Sequence, residues 1–93
     1  MQKEELRQRL LEKANNLPLT PGVYLMKDAD HKIIYVGKSR KLKNRVSQYF
    51  HESVFNAKTD AMTSCIYDFD YILCDTEMEA LTLENSLIKL YKP

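Results

Sequence analysis

Two tyrosines eleven residues apart carry the clearest chemistry in this chain: Tyr24 in Gly22-Val23-Tyr24 and Tyr35 in Tyr35-Val36-Gly37, with Lys38 directly after. A phenol donates a hydrogen bond when neutral, and a nearby ammonium favours its phenolate. Such a pair suits the handling of phosphate. Cations follow it. Lys38, Arg40, Lys41, Lys43 and Arg45 place five positive charges in eight residues with no acid among them. The net charge of the chain is only +1, so the remaining residues are net negative. Local field rather than total charge decides where a polyanion docks. The same run also reads as the solvated face of a helix.

These side chains need elements to hold them. Ninety-three residues make one domain, near the lower limit for a core without staples. A hydrophobic share of 44% suits a globular fold and argues against disorder. No apolar run reaches membrane-spanning length. The two cysteines, Cys65 and Cys74, have neither CxxC nor metal spacing. Without a signal peptide they read as free, partly buried thiols of a cytoplasmic protein.

Leu6, Leu10 and Ala14 recur at helical spacing, so residues 1–16 read as an N-terminal helix. That helix packs on the domain or docks a partner. Asn15-Asn16-Leu17-Pro18 ends it. Residues 22–27 alternate as a strand, with Val23 and Leu25 on one face and Tyr24 and Met26 on the other. A short turn at Asp28-Ala29-Asp30-His31 joins them to a second strand over 33–37, as an antiparallel hairpin. Tyr24 and Tyr35 meet if the register puts both on one face. Ser39 is a suitable N-cap for a helix over 40–50, with Leu42, Val46, Tyr49 and Phe50 as its apolar stripe. A short helix is expected near 58–66, with Ala61, Met62, Cys65 and Ile66 inward, and a third strand over 69–74. Thr76-Glu77-Met78-Glu79 is a capping box, which opens a helix running to Tyr91.

That last helix holds a carboxylate out of place. Ala80, Leu81, Leu83, Leu87, Ile88, Leu90 and Tyr91 sweep one apolar arc, and Glu84 falls inside it. Unpaired burial of a carboxylate costs several kcal/mol. Two readings answer that cost: a structural ion pair with Arg45 or Lys38, or a ligand for a hard cation. Oxygen ligands select Mg²⁺ or Mn²⁺, and Mg²⁺ often takes only one or two protein ligands. His31 and His51 are isolated and read as surface residues. Tyr67, Tyr71 and Tyr91 read as packing residues.

Together these segments resemble the GIY-YIG nuclease family in its bacterial excinuclease branch. The resemblance runs from Leu17 onward. It rests on Leu17-Pro18 with Pro21-Gly22-Val23-Tyr24-Leu25-Met26, then Ile33-Ile34-Tyr35-Val36-Gly37-Lys38. Leu42-Lys43-Asn44-Arg45-Val46 with Tyr49-Phe50 follows, then Lys58-Thr59, then Glu79-Ala80-Leu81 with Leu83-Glu84-Asn85. Five ordered motifs are specific where Gly-Val-Tyr alone is not.

The resemblance implies an α/β (α+β) fold, a small three-stranded antiparallel sheet flanked by helices, with residues 17–93 as the nuclease domain. It implies hydrolysis of a DNA phosphodiester with one Mg²⁺ or Mn²⁺. The implied site residues are Tyr24, Tyr35, Lys38, Arg45, Tyr49 and Glu84, with Glu84 on the metal and Gly22 and Gly37 structural. Lys38, Arg40, Lys41, Lys43 and Arg45 are expected on DNA. In the implied mechanism Glu84 holds the ion against a phosphate oxygen as a Lewis acid. Tyr35 is the general base. A free phenol of pKa ~10 is about one part in a thousand ionised at pH 7; a lowering of ~2 units by Lys38 and the metal would make roughly a tenth of it phenolate, enough for general-base work. Arg45 clamps the phosphate, while Tyr24 and Tyr49 position water or phosphate.

In that branch the domain makes the incision 3′ of a lesion. Its substrate is damaged double-stranded DNA held by the damage-loading subunit of the excinuclease, whose contact lies outside this segment. The departures are few. His31 stands where glycine is usual, and Ser47-Gln48 replaces a more basic pair. The Lys-Tyr-Asn expected after the last helix is absent, so the chain is expected to be a piece of a longer protein. A non-catalytic nucleic-acid-binding module on this scaffold, and a stand-alone or homing-type nuclease, are the alternative readings.

Overall fold

Gly22–Lys27 forms β1, a strand apolar on both faces and therefore central to a sheet. In the computed structural model, which describes residues 3–51 and 65–93, β1 lies between β2 (Ile33–Ser39) and β3 (Asp68–Leu73), antiparallel to both. Three helices accompany the sheet among the described residues: α1 (Lys3–Asn15), α2 (Leu42–Gln48) and α3 (Glu77–Tyr91). The expected three-stranded antiparallel sheet flanked by helices is the observed one.

The two faces of β1 seed two cores. Tyr24 and Met26, with Phe69 of β3, pack against Leu10 and Ala14 of α1 and against Leu42, Val46 and Phe50 around α2. Val23 and Leu25, with Val36 of β2, pack against Ala80 of α3, flanked by Leu83 and Leu87. The expected helix near 58–66 lies outside the described residues apart from its end, where Ile66 is buried and Cys65 is exposed. Cys74 is buried, and both thiols are free.

Several boundaries differ from expectation for physical reasons. Ser39 does not cap α2. It is the last residue of β2, paired with Gly22, and its Oγ accepts from Lys41 N at 3.1 Å. The helix starts at Leu42 without a side-chain cap. Backbone carbonyls take the place of one: Leu42 N donates to Thr20 O at 3.1 Å and Lys43 N to Pro18 O at 3.2 Å. α3 begins as expected, with Thr76 Oγ1 accepting from Glu79 N at 3.1 Å. Its apolar arc is only partly used. Leu90 is 69% exposed, and Leu81, Ile88 and Tyr91 also face solvent. A helix laid on a flat three-stranded sheet buries one stripe, and Ala80, Leu83 and Leu87 are that stripe. Tyr71 and Tyr91 are exposed rather than packed.

The hairpin turn is built on Asp28, whose Oδ1 accepts from Asp30 N at 2.9 Å and Lys32 N at 3.0 Å. His31 sits at φ 63°, the left-handed region that glycine occupies most easily.

Candidate active site

The hairpin register decides how the phenols meet. Tyr24 faces Gly37, and Met26 faces Tyr35, so the two tyrosines lie diagonally on one face with ring centroids 6.0 Å apart. Gly37 is required for space, not for backbone freedom. A Cβ there would lie 2.4 Å from Tyr24 Cζ and 2.5 Å from its Oη. Gly37→Ala therefore forces the buried ring out of place. It is expected to cost about 1–3 kcal/mol of stability, as overpacked cores do, read as a fall in the urea midpoint. An unchanged midpoint would contradict this packing.

α2 completes the cluster from above. Arg45 and Tyr49 are one turn apart, so both reach the same face. The Tyr24 and Tyr49 hydroxyls share a hydrogen bond of 3.0 Å, and Arg45 Nε donates to Tyr24 Oη at 3.4 Å. The Arg45 guanidinium also lies over the Tyr49 ring, 5.6 Å from its centroid. Tyr24 is only 1% exposed, so its hydroxyl is committed to these partners rather than to solvent. Tyr24 is expected from the sequence to position water or phosphate together with Tyr49, and in the structure its hydroxyl is bonded to Tyr49 and Arg45. It sits beneath Arg45 and Tyr49, holding them.

Burial pushes the Tyr24 phenol far above its ordinary range, and the Tyr49 hydroxyl adds to this. Burial also raises Tyr35, with Tyr49 and the Glu84 charge acting in the same direction, while Tyr24 and Arg45 oppose. Hydrogen bonding to Tyr24 raises the Arg45 guanidinium further and keeps it charged. Lys38 is not among the groups that act on the Tyr35 phenol. Strand alternation puts Lys38 on the opposite face of β2, in a small pocket of about 80 Å³ with Ser39, Arg40, Glu77 and Ala80.

A pH dependence follows. The unfolded chain releases its tyrosine protons near pH 10, whereas the folded state retains them on Tyr24 and Tyr35. Stability from these groups is complete below that value and is lost as pH rises through the folded ones. The urea midpoint is expected to fall above pH 10, and Tyr24→Phe should flatten the fall. An alkaline slope unchanged in Tyr24→Phe would contradict the assignment.

Among the described residues, Glu84 stands without the ion pair that one reading of the misplaced carboxylate expects. It forms no ion pair and no hydrogen bond among the described residues, so neither Arg45 nor Lys38 neutralises it. It is half-buried on α3, which lies mainly over β2, and its charge reaches Tyr35. No cluster of three or more His, Cys, Asp or Glu side chains suited to a metal occurs among the described residues. A single carboxylate with no ion pair or hydrogen bond among the described residues fits a hard cation that keeps most of its water.

The basic run divides by partner. Arg40 Nε pairs with Glu77 Oε1 at 2.9 Å, tying the start of α3 to the β2–α2 loop. Lys38, Lys41 and Lys43 form no ion pair among the described residues. An open cleft of about 350 Å³ is lined by Ser39, Arg40, Lys41, Asn44, Arg45 and Gln48. Asn44 and Gln48 do not stand out as site residues from the sequence. Their spacing contains the signal, since Lys41, Asn44, Arg45 and Gln48 stand at i, i+3, i+4 and i+7, one helix face. Ser47 is buried and bonds Asn44 O, so of the replaced basic pair only Gln48 reaches the cleft.

Hairpin tyrosines under an arginine-bearing helix, with a glutamate on a helix across the sheet, define the GIY-YIG class of endonuclease domain. Within it, the model of the UvrC-like GIY-YIG domain matches residues 20–93, and the chain belongs to that family. It is 58% identical over 84 residues to UvrABC system protein C of Caldicellulosiruptor saccharolyticus and 53% identical over 85 residues to that of Solibacter usitatus. Each alignment covers 90% of this chain and 14% of the relative, so the chain spans about a seventh of the length of the curated relatives it matches. The structure is similar to the N-terminal endonuclease domain of UvrC from Thermotoga maritima bound to magnesium. The TM-score is 0.75 at 32% identity, covering 92% of this chain and 93% of that one. Single tyrosine-to-phenylalanine variants of the same domain, each bound to its catalytic divalent cation, match equally well.

No described helix is long and apolar enough to cross a membrane.

Proposed function

We propose that this chain is a divalent-metal-dependent DNA endonuclease domain that makes the incision 3′ of a lesion in bacterial nucleotide excision repair, within a protein of its relatives' length. The observation that carries the reading is Glu84: a carboxylate without an ion pair or hydrogen bond among the described residues, placed where its charge reaches Tyr35. A bound Mg²⁺ or Mn²⁺ supplies a Lewis acid for the scissile phosphate. In the Thermotoga domain the cation remains bound in three different tyrosine-to-phenylalanine variants. That supports a carboxylate as the ligand here.

The protein groups have separate tasks. Arg45 presents its planar fork to the phosphate and meets the developing charge. Tyr24 and Tyr49 hold that fork by hydrogen bond and ring contact. Tyr35 is the general base toward water. Burial is the main cause that disfavours its phenolate and the Glu84 charge adds to it, so a cation held by Glu84 would remove that addition. Arg40 and Lys41 line the α2 cleft and meet the DNA backbone there, with Arg40 first released from Glu77, while Lys38, on the other face of β2, and Lys43 add positive charge beside it. Damaged duplex DNA is selected by partners and by its distortion, and the damage-loading subunit of the excinuclease delivers it.

The test is an end-labelled damaged duplex, bound by that damage-loading subunit and incubated with the longer protein and Mg²⁺. A cut 3′ of the lesion, abolished by EDTA and restored by Mg²⁺ or Mn²⁺, is the expected result. Salt-sensitive binding without cleavage, unaffected by EDTA, would instead indicate a non-catalytic binding module.

A further inference from the structure

We propose that Arg7 of α1, outside the span that the family model matches, is a positioning residue for the incision site. The proposal rests on the endonuclease reading above. Arg7 is 7% exposed, unusual for an arginine on a terminal helix. Its Nη1 donates to Phe50 O at 2.9 Å, across 43 residues of sequence. Its Nε and Nη2 donate to the Glu4 carboxylate, which neutralises the guanidinium. The hydrogen bonds from Arg7 hold the Glu4 carboxyl below its ordinary range.

The place of this contact gives it meaning. α2 has seven residues, and its last carbonyls have no partner within the helix. The chain tightens there, with Tyr49 N bonding Val46 O and Phe50 N bonding Ser47 O. At its start α2 is held by the Thr20 and Pro18 carbonyls. At its end Arg7 grips the Phe50 carbonyl, while the Phe50 ring stacks on Phe69 in the core with centroids 5.7 Å apart. Tyr49 is the preceding residue, its hydroxyl 3.0 Å from that of Tyr24, and Arg45 lies one turn earlier. α1 is itself anchored to β3, through Lys13 Nζ on Asp68 Oδ1 at 2.9 Å and on Phe69 O at 2.7 Å. Arg7 thus connects a fixed helix to the end of a short one that carries two site residues.

The test is a double-mutant cycle with an independent spectroscopic arm. The longer protein is assayed under single turnover at saturating loaded DNA and Mg²⁺, as wild type, Arg7→Met, Arg7→Lys, Tyr49→Phe and Arg7→Met with Tyr49→Phe. Arg7→Met is expected to slow incision about 10- to 100-fold, the range that small misplacements cost, with half-saturation by DNA unchanged within about twofold. Arg7→Lys should recover part of the rate. In the Tyr49→Phe background the same Arg7→Met change should cost less than about threefold, because the two act through one unit. Equal losses in both backgrounds, or a full rate in Arg7→Met, would overturn the proposal. In this chain alone, the ¹³Cζ resonance of Tyr49 should shift in Arg7→Met and remain near its wild-type position in Arg7→Lys. An unmoved resonance in Arg7→Met also overturns the proposal, even if the wild type fails to incise and the endonuclease reading fails with it.

Discussion

Glu84→Gln is expected to reduce Mg²⁺-dependent incision at least about 10³-fold while leaving the fold intact. The magnitude follows from losing the anchor of a Lewis acid that supplies several kcal/mol to the transition state, at about 1.4 kcal/mol per tenfold. The intact fold follows from the absence of any ion pair or hydrogen bond to lose among the described residues. Glutamine keeps the size and the helix propensity, so stability should stay within about 0.5 kcal/mol. A catalytic carboxylate and a structural one therefore predict opposite patterns. A structural one would lower the urea midpoint and leave some incision. Incision at the wild-type rate, or a large loss of stability, would remove Glu84 from the metal role.

Arg45→Ala is expected to cost about 10²- to 10³-fold in incision rate, as the loss of one preorganised charge-stabilising donor does. The slope of DNA affinity against log salt should also fall by about 1. Arg45→Lys is the sharper variant. An ammonium keeps the charge but lacks the planar fork. It cannot reproduce the contact with Tyr24 Oη and the face of Tyr49 together. Arg45→Lys should therefore restore the salt slope but less than about a tenth of the rate. Recovery of more than half the rate would mean that charge alone suffices and that the tyrosine cradle has no role in aiming it. Arg45 is exposed, so neither variant should shift the urea midpoint strongly.

How much of this is legible in the sequence depends on whether the controlling contact is local. β1 follows directly from its alternation, because each face of a strand meets its own layer. The capping box at Thr76 sets the start of α3 for the same local reason. Glu84 stands out because a charge within an apolar arc has few explanations. What the sequence hides is tertiary. α2 starts late because carbonyls from Pro18 and Thr20 replace the cap expected from Ser39. Lys38 is a sequence neighbour of Tyr35 but three residues on, an odd step that places it across the sheet. The need for Gly37 becomes specific only when the register sets it opposite Tyr24. Arg7 gives no signal at all, since its partner is a backbone carbonyl far along the chain.

Anomalous diffraction from crystals of this chain soaked in Mn²⁺ should locate the cation. One peak is expected at about 2.1 Å from a Glu84 carboxylate oxygen, on the side facing Tyr35, with water completing an octahedral shell. The peak should vanish in Glu84→Gln and persist in Tyr24→Phe. Its absence beside Glu84 in the wild type, or its survival in Glu84→Gln, would remove Glu84 as the metal ligand.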